Sequence, residues 1–220
     1  MVCEYWRAMV YVNYGCGFSA GEGWLNFDSS PTLRFERIPV VGKLYTKNQR
    51  RFPNQVIYGD ITKRLLCNEN EADGVFASHV LEHMPHDDCL VALRNTYAML
   101  KPSGVFRLIV PDLEIRARRY VDDLHKRDPR ASEGFLTACH LGVRARPHGA
   151  MQWVAHLFGG SAHLWMWDEP SMTETLRSAG FVGIRRCRFG DCEDPMFARV
   201  EEEGRFSAAE GDELAIECRK

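Results

Sequence analysis

The chain has 220 residues, with 28 Lys+Arg against 30 Asp+Glu, a formal charge of −2 and a pI near 6.4. Hydrophobic residues at 45% and charged residues at 26% describe a folded protein, not a disordered one. The balanced charge excludes bulk electrostatic binding of nucleic acid or an anionic membrane. No apolar run approaches the ~20 residues of a membrane helix. The amino-terminal segment MVCEYWRAMVYV lacks a basic region followed by a long apolar run, so a cytoplasmic protein without a secretory signal is expected. The eight cysteines, Cys3, Cys16, Cys67, Cys89, Cys139, Cys187, Cys192 and Cys218, form no CxxC pair and read as free thiols, mostly buried.

Short apolar runs alternate with amphipathic stretches through the first half, the signature of βαβ units in a parallel sheet. Residues 8–12 form a strand run that ends in Asn13-Tyr14-Gly15-Cys16-Gly17. Trp24–Asp28, Gln55–Tyr58 and Asp73–Ser78 follow as strands. Leu90, Leu93, Tyr97 and Leu100 recur at helical spacing, and Lys101-Pro102-Ser103-Gly104 is expected to stop that helix. Val105–Val110 is a fifth strand, ended by Pro111-Asp112. Residues 113–165 read as helical, with turns near Pro129, Pro147 and Gly159-Gly160. Glu169–Ala179 is a short helix with Gly180 as its cap. Phe181–Arg188 and Leu214–Cys218 close the pattern as strands, joined by a polar loop from Gly190 to Asp212. The expectation is one α/β domain over 1–220, with a doubly wound seven-stranded sheet and a helical lid inserted at about 113–165.

Ligands of open parallel sheets sit beyond the carboxyl ends of the strands. Gly15 and Gly17, Asp28, Asp60, Ser78-His79 and Asp112 stand at those ends. Glycines after the first strand let backbone approach a ligand. An acid after the second strand can accept from both hydroxyls of a ribose, and Asp60 after the third can accept from an exocyclic amine. Three such features in order, with VNYGCG, GWLNFD, ADGVFASHVLEHMP, MLKPSGVFRLIVPD and WDEPSMTETLRSAGF, make the chain resemble class I S-adenosylmethionine-dependent methyltransferases, in particular a small type-11-like subgroup. That resemblance implies a Rossmann-like sheet, mostly parallel with an antiparallel last strand, and S-adenosyl-L-methionine as cofactor. It implies that Gly15, Cys16 and Gly17 line the methionine part and that Asp28 binds the ribose. Asp60 with the Ile61 backbone would hold the adenine, and Ser78 and His79 would approach the sulfonium.

Two features depart from the family pattern. Asn13 stands where many members carry a carboxylate, and its amide would bond the amino-acid end of the cofactor. Only residues 15–23 separate the first two strands, fewer than the dozen a helical crossover needs, so the first helix is expected to be one turn or absent. His79-Val-Leu-Glu82-His83 fits HxxEH, a zinc-peptidase pattern, but that chemistry needs a sustained helix, and Pro85 follows at once. Glu82 and His83 are expected to organise the start of the next helix.

The insertion carries His125, His140, His148, His156 and His163 beside Trp153, Trp165 and Trp167. It reads as an aromatic lid or as a substrate pocket in which one imidazole takes a proton; His140 and His163 are the candidates, with Asp112 as a further base. The spacing of the histidines fits no standard metal site, so no metal is expected. Arg116, Arg118, Arg119, Lys126, Arg127 and Arg130 read as a solvated helix face or as recognition of a phosphate or carboxylate. The function expected is methyl transfer to a small-molecule acceptor, at oxygen, on a sugar or secondary metabolite; a homo-oligomer is compatible with the sequence. The alternatives are a cofactor-poor binding protein of the same fold and a nicotinamide-dependent oxidoreductase, the latter opposed by the missing GxGxxG.

Overall fold

The computed structural model describes residues 9–39, 42, 51–142, 162–209 and 211–220. Cys3, Pro147, His148, Trp153, His156 and Gly159-Gly160 lie outside them. The strands are β1 (Tyr11–Tyr14), β2 (Leu25–Asp28), β3 (Val56–Tyr58), β4 (Ala72–Ser78), β5 (Leu100–Val110), β6 (Val182–Arg186), β7 (Ser207–Ala208), β8 (Gly211–Asp212) and β9 (Leu214–Arg219). The helices are α1 (Pro31–Glu36), α2 (His86–Met99), α3 (Leu113–His125), α4 (Ala131–Ala138) and α5 (Glu169–Ser178). Seven strands form one sheet in the order β3-β2-β1-β4-β5-β9-β6, and β7 and β8 make a separate hairpin. The pairs among β1 to β5 are parallel, whereas β9 runs antiparallel to both β5 and β6. This is a doubly wound, Rossmann-like sheet with one reversed strand.

The two faces of the sheet are covered by different means. Val12, Tyr14, Val75, Ala77, Phe106, Leu108, Leu214 and Ile216 point to one face, where they pack on Leu93 and Met99 of α2 and Met172 and Leu176 of α5. The alternate residues Tyr11, Phe76, Ile109 and Ala215 point to the other. No helix forms between β1 and β2 among residues 15–24, as the short spacing predicts. A strap from the β6–β9 connection fills that layer instead. Phe197 is fully buried and packs edge-on to Trp24, Tyr11 and Phe76, and the Trp24 indole N–H donates to the Met196 carbonyl at 3.1 Å. Arg107, projecting from the centre of the same face, is buried among Glu217, Glu201 and Asp191 and fastens the strap to the sheet.

One local expectation is corrected. Lys101-Pro102-Ser103-Gly104 does not separate helix from strand; α2 ends at Met99 and β5 begins at Leu100. The four residues form a bulge inside β5, where the register jumps from Ala72 opposite Leu100 to Gly74 opposite Val105 and Ser103 takes a φ of 67°. A bulge tolerates Pro102, which has no N–H to give to a ladder.

Candidate active site

The end of β1 turns sharply. Gly15 and Gly17 both take positive φ, 64° and 53°. A Cβ on Gly15 would lie 2.3 Å from a Val80 methyl, so only glycine lets the first loop meet the segment after β4. Asn13 ties this loop down, its amide nitrogen donating to the Ser19 carbonyl at 3.0 Å and to Asn26 Oδ1 at 3.1 Å. A carboxylate could donate neither bond, which accounts for the amide at this position. Asp28 is buried, with Oδ2 accepting from the Gly17 N–H at 3.0 Å and Oδ1 from the Ser30 N–H at 2.8 Å. Burial and the Asp28 charge push the Cys16 thiol up to about 12.

Asp60 is held within its own turn. Burial pushes its carboxyl up, but hydrogen bonds from the Thr62 hydroxyl at 2.6 Å and from Lys63 at 2.9 Å outweigh this and hold it below the usual carboxylate range. Ile61 buries its side chain in the core, and its carbonyl accepts from Asn95 at 2.6 Å. Ser78 Oγ lies 3.0 Å from His79 Nδ1, and His79 takes a φ of 54°, rare for a residue with a side chain.

Two hollows open at this edge of the sheet. The first is lined by Asn13, Gly15, Cys16 and Ser78 on one side and by Val200, Glu202 and Arg205 of the strap on the other, and holds about 10 Å³. Gly17 follows Cys16 and donates to Asp28 just behind this wall; neither they nor Asp60 and Ile61 line the hollow. The donors and acceptors expected of a nucleoside-binding loop are therefore present in kind. The space is closed by the strap, since small-ligand sites run to roughly 300–1,000 Å³.

The second hollow is a cleft of about 820 Å³ walled by His79, Glu82, His83, Arg116, His140 and His163, and Arg205 borders both hollows. The rings of His140 and His163 stack at 4.6 Å, and those of His163 and His83 stand edge-on at 5.1 Å. Burial, reinforced by neighbouring cationic and imidazole groups, pushes His79 and His163 down to about 4, so both are neutral at pH 7. The two candidate bases, His140 and His163, thus lie side by side on the wall of this cleft. Asp112 differs. Its Oδ1 caps α3 by accepting from the Glu114 and Ile115 N–H groups, and its Oδ2 accepts from Arg186 at 2.7 Å, which leaves neither oxygen free to act as a base.

The basic cluster is largely spoken for. Arg116 pairs with Glu213, Arg118 with Glu114 and Lys126 with Asp123, whereas Arg119 and Arg130 reach the cleft wall. Leu81–His83 is a single 3₁₀ turn, so the sustained helix of a zinc peptidase is absent there. Glu82 does not organise α2 but forms part of the cleft wall, and its carbonyl accepts from the Leu164 and Trp165 N–H groups across the insertion. Val200, Glu202 and Arg205 carried no motif in the polar loop; only the packing reveals them.

Residues 22–185 match a family described as a methyltransferase domain. The chain belongs to that family. S-adenosylmethionine is accordingly the cofactor of this methyltransferase, and the match sets aside the nicotinamide-dependent oxidoreductase. No curated protein sequence matches it significantly. Among solved structures it is similar to a SAM-dependent methyltransferase from Archaeoglobus fulgidus (15% identity, 98% of this chain and 88% of that one, TM-score 0.47). It is also similar to a methyltransferase from Mesorhizobium loti (16%, 97% and 91%, 0.47). A third is the 1,6-didemethyltoxoflavin-N1-methyltransferase of Burkholderia thailandensis (18%, 97% and 72%, 0.44). Among the described residues of the methyltransferase, no helix is long and apolar enough to cross a membrane.

Proposed function

We propose that the methyltransferase modifies an oxygen of a small-molecule acceptor seated in the cleft, with His140 as the base. The observation that carries this reading is an 820 Å³ cleft of small-molecule size, lined by imidazoles and adjoining the Ser78 end of β4 through His79. The cofactor supplies the methyl group. Asn13, Gly15, Gly17 and Asp28 would hold it, and the cleft walls orient the acceptor for in-line attack. His140, on the exposed side of the imidazole stack, takes the hydroxyl proton; the neutral His163 ring beneath fixes its plane. Arg119 and Arg130 on the wall fit an anionic group of the acceptor.

The test is a panel of hydroxyl, amine and carbon acceptors, some bearing a phosphate or carboxylate, with product mass and the site of methylation read out. O-methylated product is expected, with kcat lowered roughly 100-fold in His140→Ala and partly restored by added imidazole. Methylation at nitrogen or carbon, or full turnover by His140→Ala, would remove the reading.

A further inference from the structure

The wall of the cleft holds a carboxylate with no hydrogen-bond partner among the described residues. Glu82 is fully buried, and neither of its carboxylate oxygens has a hydrogen-bond partner among the described residues. A buried, unpartnered carboxylate is costly and is retained where something binds it. Two imidazole nitrogens face it. His83 Nδ1 lies 3.1 Å from the Ala162 carbonyl, which can only accept, so Nδ1 carries the proton and Nε2 presents its lone pair, 3.9 Å from Glu82 Oε1. His163 Nδ1 lies 3.2 Å from the Met166 thioether, also an acceptor only, which leaves its Nε2 open in the same way. One ligand atom from each of Glu82, His83 and His163 falls within a 4.8 Å span.

We infer that Glu82, His83 and His163 form a binding site for one divalent transition-metal ion, with open coordination positions facing the cleft. Two neutral imidazoles and one carboxylate are the donor set of zinc, iron(II), cobalt(II) and nickel(II) sites, whereas magnesium and calcium favour all-oxygen sets. Tetrahedral ligands with bonds of about 2.1 Å stand about 3.4 Å apart, so small side-chain rotations close the observed spacing. The ligands' own supports are in place: a backbone carbonyl and a sulfur fix the two rings, and the Leu164 and Trp165 N–H groups donate to the Glu82 carbonyl and tie the His163 segment to it. The nearby positive charge of Arg116 is met by Glu213 at 2.9 and 3.0 Å. The set was invisible to spacing rules because the third ligand, His163, stands at the far end of the insertion, distant in sequence from Glu82 and His83.

The site stands or falls on metal binding alone, independent of which acceptor is methylated. The metal-stripped full chain is titrated with cobalt(II), followed by its visible d–d absorption and by calorimetry, and with zinc(II) in competition. One saturable cobalt ion per chain is expected, displaced by zinc. Binding should weaken at least about 100-fold in Glu82→Gln and His163→Gln and stay unchanged in His125→Gln, an exposed histidine at the end of α3. No saturable absorption in the native chain would overturn the assignment. So would affinity retained in both ligand variants, or lost in His125→Gln. Circular dichroism checks folding, and if Glu82→Gln does not fold, His163→Gln decides.

Discussion

The two hollows at the carboxyl edge of the sheet are opposites. In and just behind the narrow one the polar groups are satisfied internally: Asp28 by Gly17 and Ser30, Asn13 by Ser19 and Asn26, with the strap closing what remains to about 10 Å³. In the wide one the Glu82 carboxylate has no hydrogen bond among the described residues, and the space is preformed. A ligand entering the first must displace protein, whereas a ligand entering the second completes it. Any part of the binding energy used to withdraw the strap lowers the apparent affinity for the cofactor.

Arg107 should give the largest response when changed. Arg107→Met would leave Glu201 and Glu217 buried without their cation, at a cost of about 3–5 kcal/mol in urea unfolding. A loss below about 1 kcal/mol would mean that the strap is not anchored there. Next, Asp28→Ala should weaken cofactor binding roughly 30-fold or more by calorimetry, since charge-assisted hydrogen bonds are lost; unchanged affinity would detach Asp28 from the cofactor. His79 sits between the hollows and titrates with a defined sign. Its folded-state value near 4 lies below the ordinary 6.5, so the folded protein binds fewer protons in between. The stability it contributes is present above pH 6.5 and is lost as pH falls toward 4, on the order of 2 kcal/mol. A His79→Asn variant whose stability falls just as steeply over that window would contradict the assignment. The smallest effect is expected from Val200→Ala, which trims the plug: cofactor affinity should rise about 3-fold, and a fall would show that Val200 aids binding instead of obstructing it.

The elements set by local rules were readable in the sequence. Alternating apolar residues placed β1, β2, β4 and β5 to within a few positions, and the count between Gly15 and Trp24 foretold the missing helix. The short helix α1 was not anticipated, although Ser30 caps it and Pro31 opens it, because six residues give little periodicity to detect. What replaces the missing helix was unreadable, since the contact of Phe197 with Trp24 joins distant parts of the chain through packing alone. At the site, the position of Asp28 at the end of β2 was legible from the strand pattern, whereas only the packing brings His163 to the cleft beside His83. The role of Glu82 became visible only with its burial, since a glutamate before a helix has many ordinary uses.

The reversed last strand has a kinetic meaning. Because β9 runs against both of its neighbours, β6 ends and β9 begins at the same edge of the sheet, and the strap between them is moored at both ends beside the cleft. It can swing away without breaking a strand pair of the main sheet. Cofactor association should therefore be gated: the observed rate should level off at a ceiling as cofactor concentration rises, and that ceiling is the rate at which the strap lets go.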